Sequence, residues 1–214
     1  MELPLESRAA AAQGLAFALQ HFAMRQDVLV LAISTGGLAV AHGMASKLQV
    51  GLDLMLTAAL RSPDQEDLII GALSGSGARI LHSDVIASRH LDQATIEHLS
   101  RQAGKELARA QHACRGDRPR AEIAGRHVLL VDDGAASLDL LDRAVTLLRA
   151  MNPAELVVAL PVASPQSLAA LRVAADDVVC LATPDPFITV SHWYKHFPDV
   201  TEQEARELLA DVAA

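Results

Sequence analysis

Four consecutive apolar residues, Val128-Leu-Leu-Val131, run directly into two aspartates, Asp132 and Asp133, and then into the small residues Gly134-Ala135-Ala136-Ser137. A run with no polar alternation reads as a parallel strand buried on both faces. After it, Leu140, Leu141, Ala144, Leu147 and Leu148 recur at three- and four-residue spacing, the pattern of an amphipathic helix. A strand that ends in charge and turns straight into a helix builds a site at the carboxyl edge of a sheet, where open α/β sheets bind their ligands. The start of that helix adds free N–H groups and the positive end of a dipole, both suited to an anion. Two adjacent carboxylates ending a buried strand cost stability unless a ligand or a metal uses them.

The rest of the chain repeats this unit. Val28–Ile33 reads as a buried strand running into Ser34-Thr35-Gly36-Gly37, with a helix over 38–48. Paired glycines expose consecutive N–H groups as a nest for an anion. Further strands are expected at 52–57, 68–73, 79–81, 156–162 and 177–181, with Ser74–Gly77 as a hairpin turn between the second and third of these. Helices are expected over 7–23, 84–113 and 164–174, the last started by Ser164 as cap and Pro165 at its first position. A final helix opens with a capping box from Thr201 to Glu204. This alternation predicts an α/β fold with a largely parallel sheet core flanked by helices. Arg8 reads as a solvated first-turn residue, with reach toward a ligand as the alternative. Arg115–Arg120 reads as a solvated linker or a lid over a phosphate.

Composition limits the function classes. A chain of 214 residues fits one domain, 1–214, and its formal net charge of −8 argues against nucleic acid or an anionic membrane as partner. No apolar run reaches the length of a membrane span, and the start, with Glu2 and Glu6, lacks a signal-peptide pattern. Cys114 and Cys180 stand without metal-ligand spacing and read as reduced thiols, which points to the cytoplasm. Aromatics are only 3% of the chain, yet Phe187, Trp193, Tyr194 and Phe197 crowd into one short, breaker-rich segment. Phe187 and Phe197 read as a mini-core that pins the tail. Trp193 and Tyr194 are the candidates for stacking a planar ring.

Val131-Asp132-Asp133-Gly-Ala-Ala-Ser137 resembles the phosphoribosyl-diphosphate (PRPP) motif of type I phosphoribosyltransferases, and the order and spacing of the other motifs resemble that family over nearly the whole chain. The tail is similar to a subgroup of predicted bacterial members with unassigned acceptors, through Val-Val-Cys-Leu-Ala-Thr-Pro-Asp-Pro-Phe187 and His192-Trp-Tyr194. The resemblance implies a type I phosphoribosyltransferase-like sheet with a small hood, to which 183–214 contribute. It implies catalysis by Asp132 and Asp133, which would hold the ribose hydroxyls and, indirectly, a ribose-bound Mg²⁺. It places the 5′-phosphate on Gly134, Ala135, Ala136 and Ser137, the diphosphate on Ser34, Thr35, Gly36 and Gly37, and the acceptor beside Trp193 and Tyr194. Small-molecule ligands (PRPP or a nucleotide) and a homodimer follow from the same resemblance.

The chain departs from the family at its anion contacts. Ser34-Thr35 stand where Pro-Arg is common, Ala58-Ala59 where close relatives carry Arg-Lys, and Leu138-Asp139 where the loop usually ends in glycine. Arg61 lies a few residues beyond Ala58-Ala59 and is one candidate substitute. Each charge-assisted contact is worth about 1.5–3 kcal/mol, so these losses bear on how PRPP is held. Three readings stay open: a phosphoribosyltransferase, a nucleoside- or nucleotide-binding module on the same fold, and a relic retained for an oligomer interface.

Overall fold

The computed structural model describes residues 3–75 and 77–212; Glu2, and Ser76 of the expected 74–77 turn, lie outside them. Five strands form a wholly parallel sheet in the order β2 (Gly51–Leu54), β1 (Val28–Ala32), β6 (His127–Val131), β7 (Glu155–Val162) and β8 (Asp177–Ala182). Every residue of β1 is buried, as are Val128–Val131 of β6 and Leu156–Val162 of β7. The continuous apolar runs are therefore the three central strands, each covered on both faces.

Alternate residues of these strands feed two cores. On one face Val28, Val30, Leu129, Val131 and Val157 pack against α1 (Arg8–Ala18), α2 (Thr35–Leu48) and α7 (Glu202–Asp211). On the other, Leu29, Leu31, Val128, Leu130 and Val158 pack against α5 (Asp139–Arg149) and α6 (Pro165–Ala174). Each fully buried aliphatic side chain contributes about 1.5–3 kcal/mol. Ser7, Ser34, Ser164 and Thr201 cap α1, α2, α6 and α7 through their side chains, and Thr201 and Glu204 close a capping box.

Between β2 and β6 the chain leaves the parallel sheet. β3 (Thr57–Ser62), β4 (Gln65–Ser74) and β5 (Arg79–Leu81) form an antiparallel sheet, with α3 (Ser83–Ser88) and α4 (Gln93–Arg115) following it. Two expectations change here. The run expected as one strand over 52–57 is split: β2 ends at Leu54, and Thr57 already belongs to the second sheet. The expected single helix over 84–113 breaks at His90, which has φ 51°, and restarts where the Asp92 side chain caps the Thr95 N–H. The Asp92 carboxylate offers the backbone a local bond that starts the second helix.

A buried ion pair fastens the linker after α4 to the sheet edge. Arg115 Nη2 is 2.6 Å from Asp53 Oδ1 and donates to the Leu54 carbonyl at 2.7 Å, while Asp53 Oδ2 accepts from the Ala121 N–H. Arg118 donates to the Leu52 carbonyl. Arg115 and Arg118 thus belong to the framework instead of a mobile lid.

Candidate functional site

The carboxyl ends of β1 and β6 meet the first turn of α2. Asp132 is buried, and its Oδ1 accepts a 2.5 Å hydrogen bond from Ser34 Oγ, which itself accepts from the Gly37 N–H at 2.8 Å. The segment expected as an open diphosphate loop is a cap and a helix start: Ser34 is the N-cap of α2, and Thr35, Gly36 and Gly37 are its first helical residues. The glycines are required by close approach. A Cβ on Gly36 would collide with Asp133 Oδ2, and one on Gly37 would stand 2.5 Å from Asp132 Oδ1. The positive end of the α2 dipole is thereby pressed against both carboxylates.

Asp133 has a partner from the opposite end of the sequence. Arg8 Nε donates to Asp133 Oδ2 at 2.9 Å, and Nη2 lies 2.8 Å from the same oxygen. Arg8 Nη1 donates to the Pro198 carbonyl at 2.5 Å, and the guanidinium carbon sits 3.7 Å from the centre of the Phe197 ring. Arg8 is only 8% exposed, so the solvated reading is overturned. Sequence separation hides this pairing, but one signal was present: Arg8 is the sole charged residue of an otherwise alanine-rich helix.

Burial dominates the electrostatics of the pair. It pushes the Asp132 carboxyl up to about 7, with the Asp133 charge adding to the rise and the Ser34 hydrogen bond opposing it. Asp133 is also raised, by burial first, against the hydrogen bond and charge of Arg8. Burial thus favours the protonated form of both carboxyls, and the Arg8 charge opposes it.

The tail seals this end of the sheet. Tyr194 is 6% exposed, and its hydroxyl donates to the Asp133 carbonyl at 2.6 Å. Leu5 pairs with Tyr194 in a parallel bridge, so the amino-terminal segment and the tail hold each other. Tyr194 is therefore a core residue here and its ring is not open to an acceptor, which corrects the expected stacking role. Trp193 is partly exposed, 6.0 Å from Phe187 and edge-on to His192 at 5.0 Å, and its buried Nε1 has no partner among the described residues. Phe187 and Phe197 pack in the expected mini-core with Tyr194.

The 134–137 segment is partly committed as well. A Cβ on Gly134 would stand 2.8 Å from Val190 Cγ1 and 2.9 Å from Val162 Cγ2. Ala135 bridges to Ala163: its N–H donates to the Val162 carbonyl at 2.9 Å and its carbonyl accepts from the Ser164 N–H at 2.9 Å. Ala136 and Ser137 are exposed. They face a cleft of about 460 Å³ that continues to Ser164, Ser167 and Phe187. Leu138, the N-cap of α5, supplies no side-chain bond to the helix start. The head of α5 therefore lacks a side-chain cap, which suits an anion, while Asp139 and Asp142 in its first turn oppose one.

Ala58 and Ala59 lie on β3, paired with Leu73 and Ala72. Arg61, on the same strand, is near enough to α5 for its charge to reinforce the downward pull of burial on Arg143. Among the described residues no group of three or more His, Cys, Asp or Glu side chains could hold a metal ion. The acidic pair does not fit a protein-held Mg²⁺ in this arrangement either, because Arg8 already places a positive charge on Asp133.

The model of the phosphoribosyl transferase domain family matches residues 5–194. A protein of Mycobacterium tuberculosis strain CDC 1551, named "Putative phosphoribosyl transferase MT0597", is 35% identical over 177 residues, covering 83% of this chain and 40% of that protein. A counterpart of the same name type in strain H37Rv, Rv0571c, matches to the same extent. The chain thus spans two fifths of the length of these curated relatives. The crystal structure of TT1426 from Thermus thermophilus superposes with a TM-score of 0.87 at 30% identity, covering 98% of this chain and 99% of that one. No helix among the described residues is long and apolar enough to cross a membrane. With the family motif at the end of the central strand and its fold around it, the chain belongs to the phosphoribosyl transferase domain family.

Proposed function

We propose that the protein is a phosphoribosyltransferase that uses PRPP as donor and a nitrogenous acceptor, with release of diphosphate. The observation that supports this most is the convergence of Asp132, Asp133, the Gly36-Gly37 helix start and the 134–137 segment at the carboxyl edge of one parallel sheet. In the proposed reaction the bond from the anomeric carbon to the diphosphate oxygen breaks. A bond from the acceptor nitrogen to that carbon forms, and the acceptor proton leaves to a carboxylate or to water. Positive charge builds on the ribose in such a step, and a fixed negative group beside it lowers the barrier.

Asp133 is the acid–base candidate, being partly exposed where Asp132 is buried. Asp132, held in place by the Ser34 hydroxyl, would take part in holding the ribose hydroxyls. Ala136, Ser137 and the head of α5 would take the 5′-phosphate, since the Ala135 N–H is already spent on β7. Any Mg²⁺ would arrive on the donor's own oxygens and offset its charge there. The tail, whose Phe187 lines the cleft, would act as part of the hood within one 1–214 domain. A homodimer is proposed from the family resemblance alone.

A second reading, binding of a nucleoside or nucleotide without transfer, is favoured by the Arg8 contact, which already satisfies a carboxylate meant for ribose. Diphosphate release in the presence of PRPP, Mg²⁺ and a panel of purine, pyrimidine and amine acceptors separates the two. Turnover lost in Asp133→Asn supports transfer. Saturable PRPP or nucleotide binding without diphosphate release from any acceptor supports the second reading.

A further inference from the structure

We propose that Arg8 is the diphosphate contact of this site, supplying from α1 the cation that the chain lacks at Ser34-Thr35 and at Ala58-Ala59. The inference rests on the PRPP reading above. It starts from position: Arg8 Nη2 stands 3.1 Å from where a Gly36 side chain would begin, so the guanidinium lies directly against the first turn of α2. That turn is where the family resemblance places the diphosphate, and its N–H groups and dipole favour an anion.

The present contact of Arg8 is poised for exchange. Both Nε and Nη2 reach one oxygen, Asp133 Oδ2, so the planar fork engages a single acceptor where it is built for two. A diphosphate offers paired oxygens and more negative charge than a carboxylate that is already raised by burial. The anchors that hold the guanidinium, the Phe197 ring and the Pro198 carbonyl, are both separate from Asp133. Arg8 therefore turns from carboxylate to diphosphate without leaving its seat, and the same movement frees Asp133 for the ribose hydroxyls. Resting and bound states share one cation, which keeps the acidic pair compensated when no ligand is present.

The test is calorimetric titration of the full chain and of Arg8→Gln, Arg8→Lys and Arg8→Gln/Asp133→Asn with three probes: PRPP·Mg²⁺, pyrophosphate and ribose 5-phosphate. The expected result is a loss of about 10- to 100-fold in affinity for PRPP and pyrophosphate in Arg8→Gln. Ribose 5-phosphate should bind as well or more tightly, and Arg8→Lys should fall between. Thermal melts establish that the variants fold. The double variant removes the carboxylate that Arg8→Gln leaves unpaired, and pyrophosphate binding should stay lost in it. Unchanged or tighter PRPP and pyrophosphate binding in Arg8→Gln would show that Arg8 only masks Asp133, and so would pyrophosphate binding restored in the double variant. Wild-type binding of pyrophosphate alone, lost in Arg8→Gln, keeps the Arg8 assignment and removes the PRPP reading. Binding of PRPP indifferent to Arg8 does the reverse, and no binding of any probe overturns both.

Discussion

Ser34 Oγ lies 2.5 Å from Asp132 Oδ1 and 2.8 Å from the Gly37 N–H, so one hydroxyl serves at once as helix cap and as donor to a buried carboxylate 98 residues away in sequence. The two central strand–helix units of the sheet are locked to each other at this atom. Whatever binds at the acidic pair acts on the start of α2 through it.

Ser34→Ala should therefore cost more than a cap alone. Losing a cap costs about 1 kcal/mol, and leaving Asp132 without its donor adds about 1–3 kcal/mol. Chemical denaturation should show a loss clearly larger than that of Ser7→Ala, whose hydroxyl caps α1 by a single 3.3 Å bond. Equal losses would mean that the Asp132 contact contributes nothing.

Asp132 imposes a pH dependence on stability. Its folded pKa, about 7, lies above the ordinary aspartate value of 3.8, so the folded state holds the proton more tightly than the unfolded state between these values. Stability from this group is fully present below the unfolded value and falls as pH rises toward 7. The groups that face it are Asp133, Arg8 and Ser34. Asp132→Asn should flatten that part of the melting profile and be more stable than wild type at pH 8, by on the order of 2 kcal/mol. A wild-type profile that rises over the same window would contradict the assignment.

Gly36 and Gly104 make opposite predictions for one substitution. Gly36→Ala drives a Cβ onto Asp133 Oδ2 and should destabilise by about 1–3 kcal/mol. Gly104, inside α4, has only Leu73 Cδ1 at 4.0 Å from its Cβ position, and Gly104→Ala should stabilise by about 0.5–1 kcal/mol. Paired melts of the two variants check both signs.

Tyr194→Phe removes the hydroxyl bond to the Asp133 carbonyl and should cost about 1 kcal/mol. Trp193, the single tryptophan of the chain, stands next to it. Its fluorescence should show the tail loosening at lower denaturant in the variant. A tail transition that stays with the wild-type midpoint would mean that packing against Leu5 and Phe197 suffices.

The parallel core was legible because its strands are unbroken apolar runs, which only double-sided burial permits, and because Ser164-Pro165 and Thr201–Glu204 carry their caps locally. The acidic pair was legible for the same reason, as charge ending such a run. What escaped was long-range. Arg8 and Asp133 are 125 positions apart, and no periodicity links an α1 residue to the end of β6. Nor could spacing show that Gly36 and Gly37 serve the approach of two carboxylates, since a helix start and an open loop share the same glycines. The tail aromatics illustrate the limit: clustering was visible, but whether Tyr194 faces a ligand or the Asp133 carbonyl depends on the fold. The antiparallel sheet was half legible, its second hairpin from turn residues. Its β3 strand was hidden because β2 ends and β3 begins within one apolar stretch.

The transferase reading of this site requires PRPP to reach the acidic pair. Titration of the purified protein with PRPP and Mg²⁺, beside Asp132→Asn/Asp133→Asn, examines this directly. Saturable binding by the wild type and its loss in the double variant are expected, with the fold of both intact by circular dichroism. No binding at millimolar PRPP, or equal binding by the two proteins, would show that the acidic pair does not serve PRPP.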